Sequence, residues 1–551
     1  MPHADSAATA RAWATDRSID LWAMFEADLE APTIDALAPA LASIRADGAR
    51  LALVTTTGGA ARAGVGDRPG LGEWADLVVA GPDAPLPFGL FAALEAAGVA
   101  DARRLGVIGR SLAALDAAHR AGAGAIVGLV ADSSAESRRA LLDGQPDAIV
   151  DAAGLGALDA DRYGTHRTNR QYVLLNPGPA VTSDRVHRAI AGPDLCHREP
   201  EYVALFSSVR RKLLAVGGVA DDWAVVLVAG SGTAALEAMT GAFVRPGRRL
   251  LVCRNGIYGD RIATIAARLG IDIVSVSAAD TEPIDPAAVG RALDADALID
   301  AVAVIHHETT TGLLNPVHEI ADLADARGVR VLVDAISSFG AEDLRLVGGG
   351  IDVVAGTSNK CLHGLPGVAF LLVSPRAQAR AVEVPPRSLY FDVPNYLRAQ
   401  AKQTVPFTPS IPATYALDAA LDELVDEGLE HRKAHYRERM AYLDAALARL
   451  GLEPIVPPAH RSGSVRSLPL PAGVTYAALH DAVKLDGYVI YAGLGQAAAT
   501  NFRVCALGNL EVGALEGFIA SLTRALDEVR RGDGQPVESA AGPVPSTRRS
   551  I

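Results

Sequence analysis

Twice along this chain, short apolar runs ending in small or turn residues alternate with helical patterns, which restricts the fold to α/β layers built on parallel sheets. The first series lies between about 18 and 160: LALVTTT (51–57), ADLVVAG (75–81), RLGVIG (104–109) and AIVGLVAD (125–132), with FGLFAALEAAGV (88–99) and ESRRALLDG (136–144) between them. The second begins at Val173 and holds AVVLVAG (224–230), RLLVCRNG (249–256), AVAVIHH (301–307), RVLVDA (330–335), DVVAG (352–356) and VAFLLVS (368–374). A mixed section follows, with a long charged helix expected over 416–450, strands at 464–470, 488–493 and 502–507, and a last helix over 511–531. At 551 residues the chain exceeds one ordinary core. The spacing predicts a flexible start (1–17), a first α/β domain (18–160), a polar linker (161–172), a large α/β domain (173–410), a small α+β domain (411–531) and a disordered Gly-, Pro- and Ser-rich tail (532–551).

Charge narrows the partners. With 51 basic against 64 acidic side chains the net charge is −13, which argues against a nucleic-acid footprint or a polybasic membrane patch and favours small-molecule work. The opening MPHADSAATARAWATDR has no apolar core of a signal segment, and apolar stretches such as 124–130 are too short to span a bilayer. Four scattered cysteines have neither disulfide-scaffold density nor zinc spacing. Reduced thiols in a soluble cytoplasmic protein, without a bound metal, are the expectation.

Lysine is scarce enough to be informative. Only Lys212, Lys360, Lys402, Lys433 and Lys484 occur, and the first 211 residues have none. Lys360 follows an apolar strand in DVVAGTSNKCLHGLPGVAF, where small neighbours leave room for a bound ring and burial makes an amine nucleophilic. A lysine merely capping a turn is the plain alternative. Asp334 ends the strand of VLVDAISSFG, 26 residues earlier, and a buried carboxylate there calls for a cation or donors. AGSGTAALEAM (229–239) puts Ser231, Gly232 and Thr233 at a helix N-terminus, a phosphate-binding arrangement that is also a common tight turn. Tyr258 in CRNGIYGDR (253–261) is placed to stack on a flat ring, and HHETTTGLLNP (306–316) ends a strand with the hydroxyls Thr309, Thr310 and Thr311.

In order and spacing these elements resemble the aminotransferase class V family of fold-type I pyridoxal phosphate enzymes, within it the 2-aminoethylphosphonate aminotransferase group. LLNPGPAVTSDRV (174–186), CHREPEY (196–202), GSGTAALEA, NGIYG, HHETTTGLLNP, VDAISSFG, SNKCLHGLPG, PRSLYFD (386–392) and FRVCALGNL (502–510) carry the resemblance over roughly 360 residues. It implies that Lys360 is the Schiff-base lysine and proton carrier, that Asp334 pairs with the pyridine nitrogen and that Tyr258 stacks on the ring. Ser231, Gly232 and Thr233 would hold the cofactor phosphate, Thr310 would meet the ring hydroxyl, Asn359 would flank the lysine, and Thr408 would reach the phosphate of a partner subunit. Arg503 would grip the acidic end of the substrate, with Arg387 and Arg198 as further candidates. Where this chain has FRVCALGN, many members have FRIGN-like or FRIAN-like segments. The implied partners are a phosphonate amine and a keto acid, in a homodimer with shared active sites. The implied reaction is 2-aminoethylphosphonate with pyruvate; a lyase releasing ammonia from a hydroxylated relative, or a general alanine/serine–glyoxylate aminotransferase, stays open.

Residues 18–160 resemble the haloacid-dehalogenase superfamily, the fold of phosphonoacetaldehyde hydrolase, in a Rossmann-like arrangement. The chemistry of that superfamily is missing: Asp20 in SIDLWAM lacks the Gly-Thr that should follow, Arg110 stands in place of an acid, and there is no lysine. A degenerate, noncatalytic domain is the expectation.

Overall fold

The computed structural model describes Tyr172–Arg531 without a break. Earlier in the chain it describes 21–25, 50–55, 76–80, 88–99, 102–123, 125–130, 148–150 and the single positions Ala42, Ser137, Ala140, Leu141 and Pro146. The readings of a flexible start (1–17), of Asp20, of a linker over 161–171 and of a disordered tail (532–551) lie outside the described residues. The chain forms two compact units, Met1–Tyr172 and Val173–Ile551.

In the first unit β1 (Leu21–Phe25), β2 (Arg50–Thr55), β3 (Leu77–Ala80), β4 (Leu105–Gly109), β5 (Ala125–Leu129) and β6 (Ala148–Val150) make one parallel sheet in the order β3-β2-β1-β4-β5-β6. This is a doubly wound order whose direction reverses between β1 and β4. Helices α1 (Phe88–Ala97) and α2 (Leu112–Ala121) are among its crossovers, and α2 buries Ala114, Leu115, Ala117, Ala118 and Ala121 after an N-cap from Ser111. Arg110 follows β4 directly.

The second unit opens with β7 (Val173–Leu174) and α3 (Pro200–Gly217), followed by β8 (Ala224–Gly230), α4 (Gly232–Ala242), β9 (Arg249–Arg254), α5 (Ile257–Arg268), β10 (Asp272–Ser277), β11 (Ile299–Ile305) and the short hairpin β12 (His307–Glu308) and β13 (Leu313–Leu314). After it come β14 (Arg330–Asp334), β15 (Val353–Thr357) and β16 (Gly367–Val373). Seven strands pair in the order β10-β9-β11-β14-β15-β16-β8, of which β16 alone runs antiparallel to its neighbours. The central strands β11, β14 and β15 are buried almost throughout, as near-continuous apolar runs require when helices cover both faces. The carboxyl ends of β9, β11, β14 and β15 therefore open on one side, where Asn255, His306, Ala335 and Ser358 leave the sheet.

The charged stretch expected as one helix over 416–450 is two, α6 (Ile411–Glu427) and α7 (Leu429–Arg449), separated by Gly428 at φ 86°. Leu417, Leu421 and Leu424 of α6 pack with Val225, Phe339 and Phe370 in the core of the seven-stranded sheet, so the large body continues past the boundary expected at 410. The smaller body is also discontinuous. Leu175 packs with Met440 and Leu447 of α7 and with residues of β17 (Val465–Pro469), β20 (Asn501–Cys505) and α9 (Val512–Arg531). Between β17 and β20 lie α8 (Tyr476–Leu485), β18 (Tyr488–Val489) and β19 (Tyr491–Ala492); β18 pairs in parallel with β7, while β17, β20 and β19 form an antiparallel sheet.

The amino ends of the strands carry ion pairs. Asp300 at the start of β11, 4% exposed, accepts from Arg245 at 2.7 Å and from Arg380 at 2.5 Å. Replacing one partner leaves the other buried and uncompensated, so Asp300→Ala should lower stability by about 3–5 kcal/mol. The check is the denaturant midpoint of the purified chain; an unchanged midpoint would show that Arg380 finds another partner.

Candidate active site

Lys360 lies three residues past β15, in a loop closed on itself: the main-chain N–H of Ser358 donates to Val368 O at 3.0 Å and that of Gly364 to Ser358 O at 2.8 Å. Its Nζ donates to Pro177 O. Gly178 covers it so closely that a Cβ there would sit 2.7 Å from Nζ, and at φ +117° a side chain would also be strained. The NPGP segment after β7 is thus a roof over the lysine. Burial pushes the Lys360 amine below its usual basicity, Arg503 acts in the same sense, and Cys505, Cys361 and Asp334 act against it. Asn359 sits beside it, its Oδ1 accepting from Thr357 Oγ1 at 2.9 Å and its main-chain oxygen from Ala180 N at 3.0 Å.

One strand away, Asp334 ends β14 with 4% exposure. Oδ1 accepts from Ile336 N at 2.9 Å, and among the described residues no arginine or lysine forms an ion pair with it. Burial pushes its carboxyl up to about 6, against the Ile336 N–H and the more distant Arg261 and Lys360 charges.

Ser231 is the N-cap of α4, yet its side chain makes no capping bond, leaving hydroxyl and first-turn N–H groups for an anion. Gly232 is required there by close approach: a Cβ would lie 2.7 Å from Ile336 Cδ1. Thr233 Oγ1 accepts from Arg261 Nη1 at 3.4 Å, and the same guanidinium lies 4.8 Å from the ring centre of Tyr258 in the first turn of α5.

The turn after β12 completes the group. Thr310, 2% exposed, donates both its N–H and its hydroxyl to Glu308 Oε1. Arg503 on β20 is 3% exposed and donates to Ala492 O at 2.9 Å and to Thr309 O at 3.1 Å. It pairs with no carboxylate among the described residues. Lys360, Asp334, Ser231–Thr233, Tyr258, Thr310, Asn359 and Arg503 thus lie together at the carboxyl side of the large sheet and the adjoining edge of the smaller body.

Three expected residues lie elsewhere. Arg387 donates to Gly241 O at 2.7 Å and Val244 O at 3.0 Å, at the C-terminal end of α4. That is the opposite end from Ser231, about 15 Å away at 1.5 Å per residue, and a cation there is held by the helix dipole. Arg198 is exposed in the turn before α3. Thr408 is exposed in a cleft lined by Tyr202, Phe206 and Tyr390. Glu308, Arg261 and Gly178 were not singled out from the sequence, although Glu308 lies inside HHETTTG and Gly178 inside NPGP.

Residues 184–507 match the aminotransferase class-V family. The chain belongs to that family, and its cofactor is pyridoxal phosphate. Among its relatives, the 2-aminoethylphosphonate–pyruvate transaminase of Burkholderia thailandensis is 38% identical over 361 residues, covering 65% of this chain and 97% of that protein. The protein of the same name from Burkholderia pseudomallei is 38% identical over 364 residues, 65% of this chain and 98% of that one. Among solved structures, the aspartate aminotransferase of Thermus thermophilus is 28% identical with TM-score 0.60 (65% and 99% covered), and the alanine–glyoxylate aminotransferase of Nostoc sp. is 26% identical with TM-score 0.62 (65% and 96% covered). They share the fold-type I α/β architecture of the second unit.

The residues present fit the cofactor: a buried carboxyl lacking a cation suits a protonated pyridine nitrogen, and unused donors at the α4 N-terminus suit a phosphate. A pH consequence follows for the cofactor-free protein. Because the folded carboxyl titrates near 6 and the unfolded one near 3.8, the stability it contributes is complete below pH 3.8, falls as pH rises, and is lost above 6. The loss is roughly 3 kcal/mol at 1.36 kcal/mol per unit. Asp334→Asn should raise the melting temperature of the cofactor-free protein at pH 7.5, flatten its decline between pH 4 and 6, and weaken pyridoxal phosphate binding. A less stable cofactor-free variant would contradict this account.

Proposed function

We propose that the chain transfers the amino group of 2-aminoethylphosphonate to pyruvate, giving phosphonoacetaldehyde and alanine. The observation that carries the substrate class is Arg503: a buried guanidinium beside the Lys360 amine, with two donors on main-chain oxygens and no carboxylate partner. Such a cation has N–H groups left for an acidic substrate, and a phosphonate and a carboxylate present similar oxygens to it in turn. The identity to the Burkholderia transaminases supports the phosphonate amine.

When bound, pyridoxal phosphate supplies an aldehyde for amine exchange and a ring that takes up the electrons left as the Cα proton departs. Lys360 Nζ would take that proton, its basicity lowered by burial. Asp334 would keep the ring nitrogen protonated, Tyr258 would stack on the ring, and Ser231, Gly232 and Thr233 would hold the phosphate, with Thr310 near the ring hydroxyl and Asn359 beside the lysine. Arg503 sets the substrate's acidic end. In this reading the protein is a cytoplasmic homodimer, with Thr408 of each subunit turned to the other's phosphate; the exposure of Thr408 supports a covered face there.

The first unit is proposed to be a degenerate haloacid-dehalogenase-like domain with a structural, oligomerising or regulatory role. Its doubly wound strand order, Arg110 directly after β4 and the absence of any lysine before Lys212 support that.

The test is to incubate the full chain with 2-aminoethylphosphonate, with and without pyruvate, and follow alanine and ammonia. Alanine that depends on pyruvate is expected, with loss of turnover in Lys360→Ala and a rise in KM of at least about tenfold in Arg503→Ala, the scale of a lost charge-assisted hydrogen bond. Ammonia released from a hydroxylated aminoethylphosphonate without any keto acid would replace the transaminase with a lyase. Reaction with alanine or serine but no phosphonate would indicate a general aminotransferase.

A further inference from the structure

Glu308 is fully buried on β12, and no cation forms an ion pair with it among the described residues. Its two oxygens serve different elements. Oε1 accepts from Thr310 N at 3.1 Å and from Thr310 Oγ1, while Oε2 accepts from Tyr258 N at 3.2 Å in the first turn of α5. That helix begins at Gly256, which has no side chain to cap it, so the carboxyl of a neighbouring strand takes the capping role. The approach is tight enough to dictate a glycine. Gly256 has φ 166°, extended backbone open to any residue, yet a Cβ there would lie 2.3 Å from Glu308 Cδ. Burial pushes the Glu308 carboxyl up to about 7, with Asp334 across the sheet acting in the same sense and the donors from Thr310 and Tyr258 acting against it.

We infer that Glu308 is a positioning residue that fixes the Tyr258 ring and the Thr310 hydroxyl relative to each other, making two contacts of the cofactor pocket into one rigid unit. This deepens the proposed function and rests on its placement of Tyr258 and Thr310 against pyridoxal phosphate. A forked acceptor is what the geometry demands. The Tyr258 N–H lies 50 residues before Glu308 and the Thr310 N–H two after it, and a shorter side chain leaves both buried and unsatisfied. A carboxyl kept only to satisfy its own turn would need neither the second oxygen on α5 nor the bare Gly256 opposite it.

The test uses the full chain stripped of cofactor and titrated with pyridoxal phosphate, reading the dissociation constant from visible absorbance, the visible circular dichroism at saturation, and the melting temperature. Glu308→Ala should bind about 10- to 100-fold more weakly, the fold-change for one or two orphaned donors, and show reduced visible ellipticity even when saturated. Gly256→Ala, whose methyl displaces Glu308, should reproduce both changes. Glu308→Gln keeps an acceptor toward Thr310 but turns an amide toward the Tyr258 N–H, so it should fall between wild type and Glu308→Ala at an unchanged melting temperature. This near-isosteric variant decides the matter if either of the others fails to fold. Wild-type affinity and ellipticity in whichever of the three fold would overturn the inference. Failure of the wild-type chain to bind the cofactor would instead overturn the proposed function.

Discussion

A carboxylate held in the protein interior without a cation is the constraint around which this structure is arranged. Asp334 sits at the end of a central strand, buried on every side, with a single main-chain donor on one oxygen. Folding alone makes that placement unfavourable, which is why its carboxyl titrates near 6. Under the proposed function a ligand that brings a positive charge would relieve the imbalance, and its affinity would include that relief. The neighbouring buried acid Glu308 meets its demand differently, with donors from Thr310 and Tyr258 in place of a charge. One acid keeps a single main-chain donor and the other is closed by donors from two segments of the chain.

The position of Lys360 follows from the same economy of partners. It faces Asp334 across adjacent strand ends, yet its amine donates to Pro177 O, and its loop is held from the far side by α7. Arg432 donates to Cys361 O at 3.3 Å, and Tyr436 hydrogen-bonds His363 Nε2 at 2.6 Å while meeting its ring edge-on. His363 has a φ of 60°, uncommon for a residue with a side chain, and Tyr436 is the buried partner that fixes it. Under the proposed function Lys360 would need room to move above a fixed base, and the clamp on residues 361 and 363 supplies that base.

How much of this was legible in the sequence depends on whether a residue works through local pattern or through distant contact. The runs AVVLVAG and RVLVDA read as strands because buried parallel strands are nearly continuous in apolar residues, and they form Ala224–Gly230 and Arg330–Asp334. Asp334 and Lys360 stand out as polar residues closing or following such runs. Glu308 was invisible by the same logic: beside three threonines it reads as one more polar turn residue, and only the fold shows α5 reaching it from 50 positions away. Arg387, a further candidate that the resemblance offered, is the opposite case. Its guanidinium donates to the carbonyls of Gly241 and Val244 at the C-terminal end of α4, which local pattern does not reveal. The helix expected over 416–450 failed at a single glycine, since periodicity continues across Gly428 while its positive φ turns the chain.

That break has a structural consequence. Because Gly428 lets α6 stay in the core of the large sheet and sends α7 into the smaller body, α7 is in contact with both the Lys360 loop and the strands that carry Arg503. Met440, Leu443 and Leu447 pack with Phe502 and Val504, on either side of Arg503, while Arg432 and Tyr436, two turns and one turn earlier, hold Cys361 and His363. A single helix therefore contacts both the loop that carries the Lys360 amine and the strand that carries the Arg503 guanidinium.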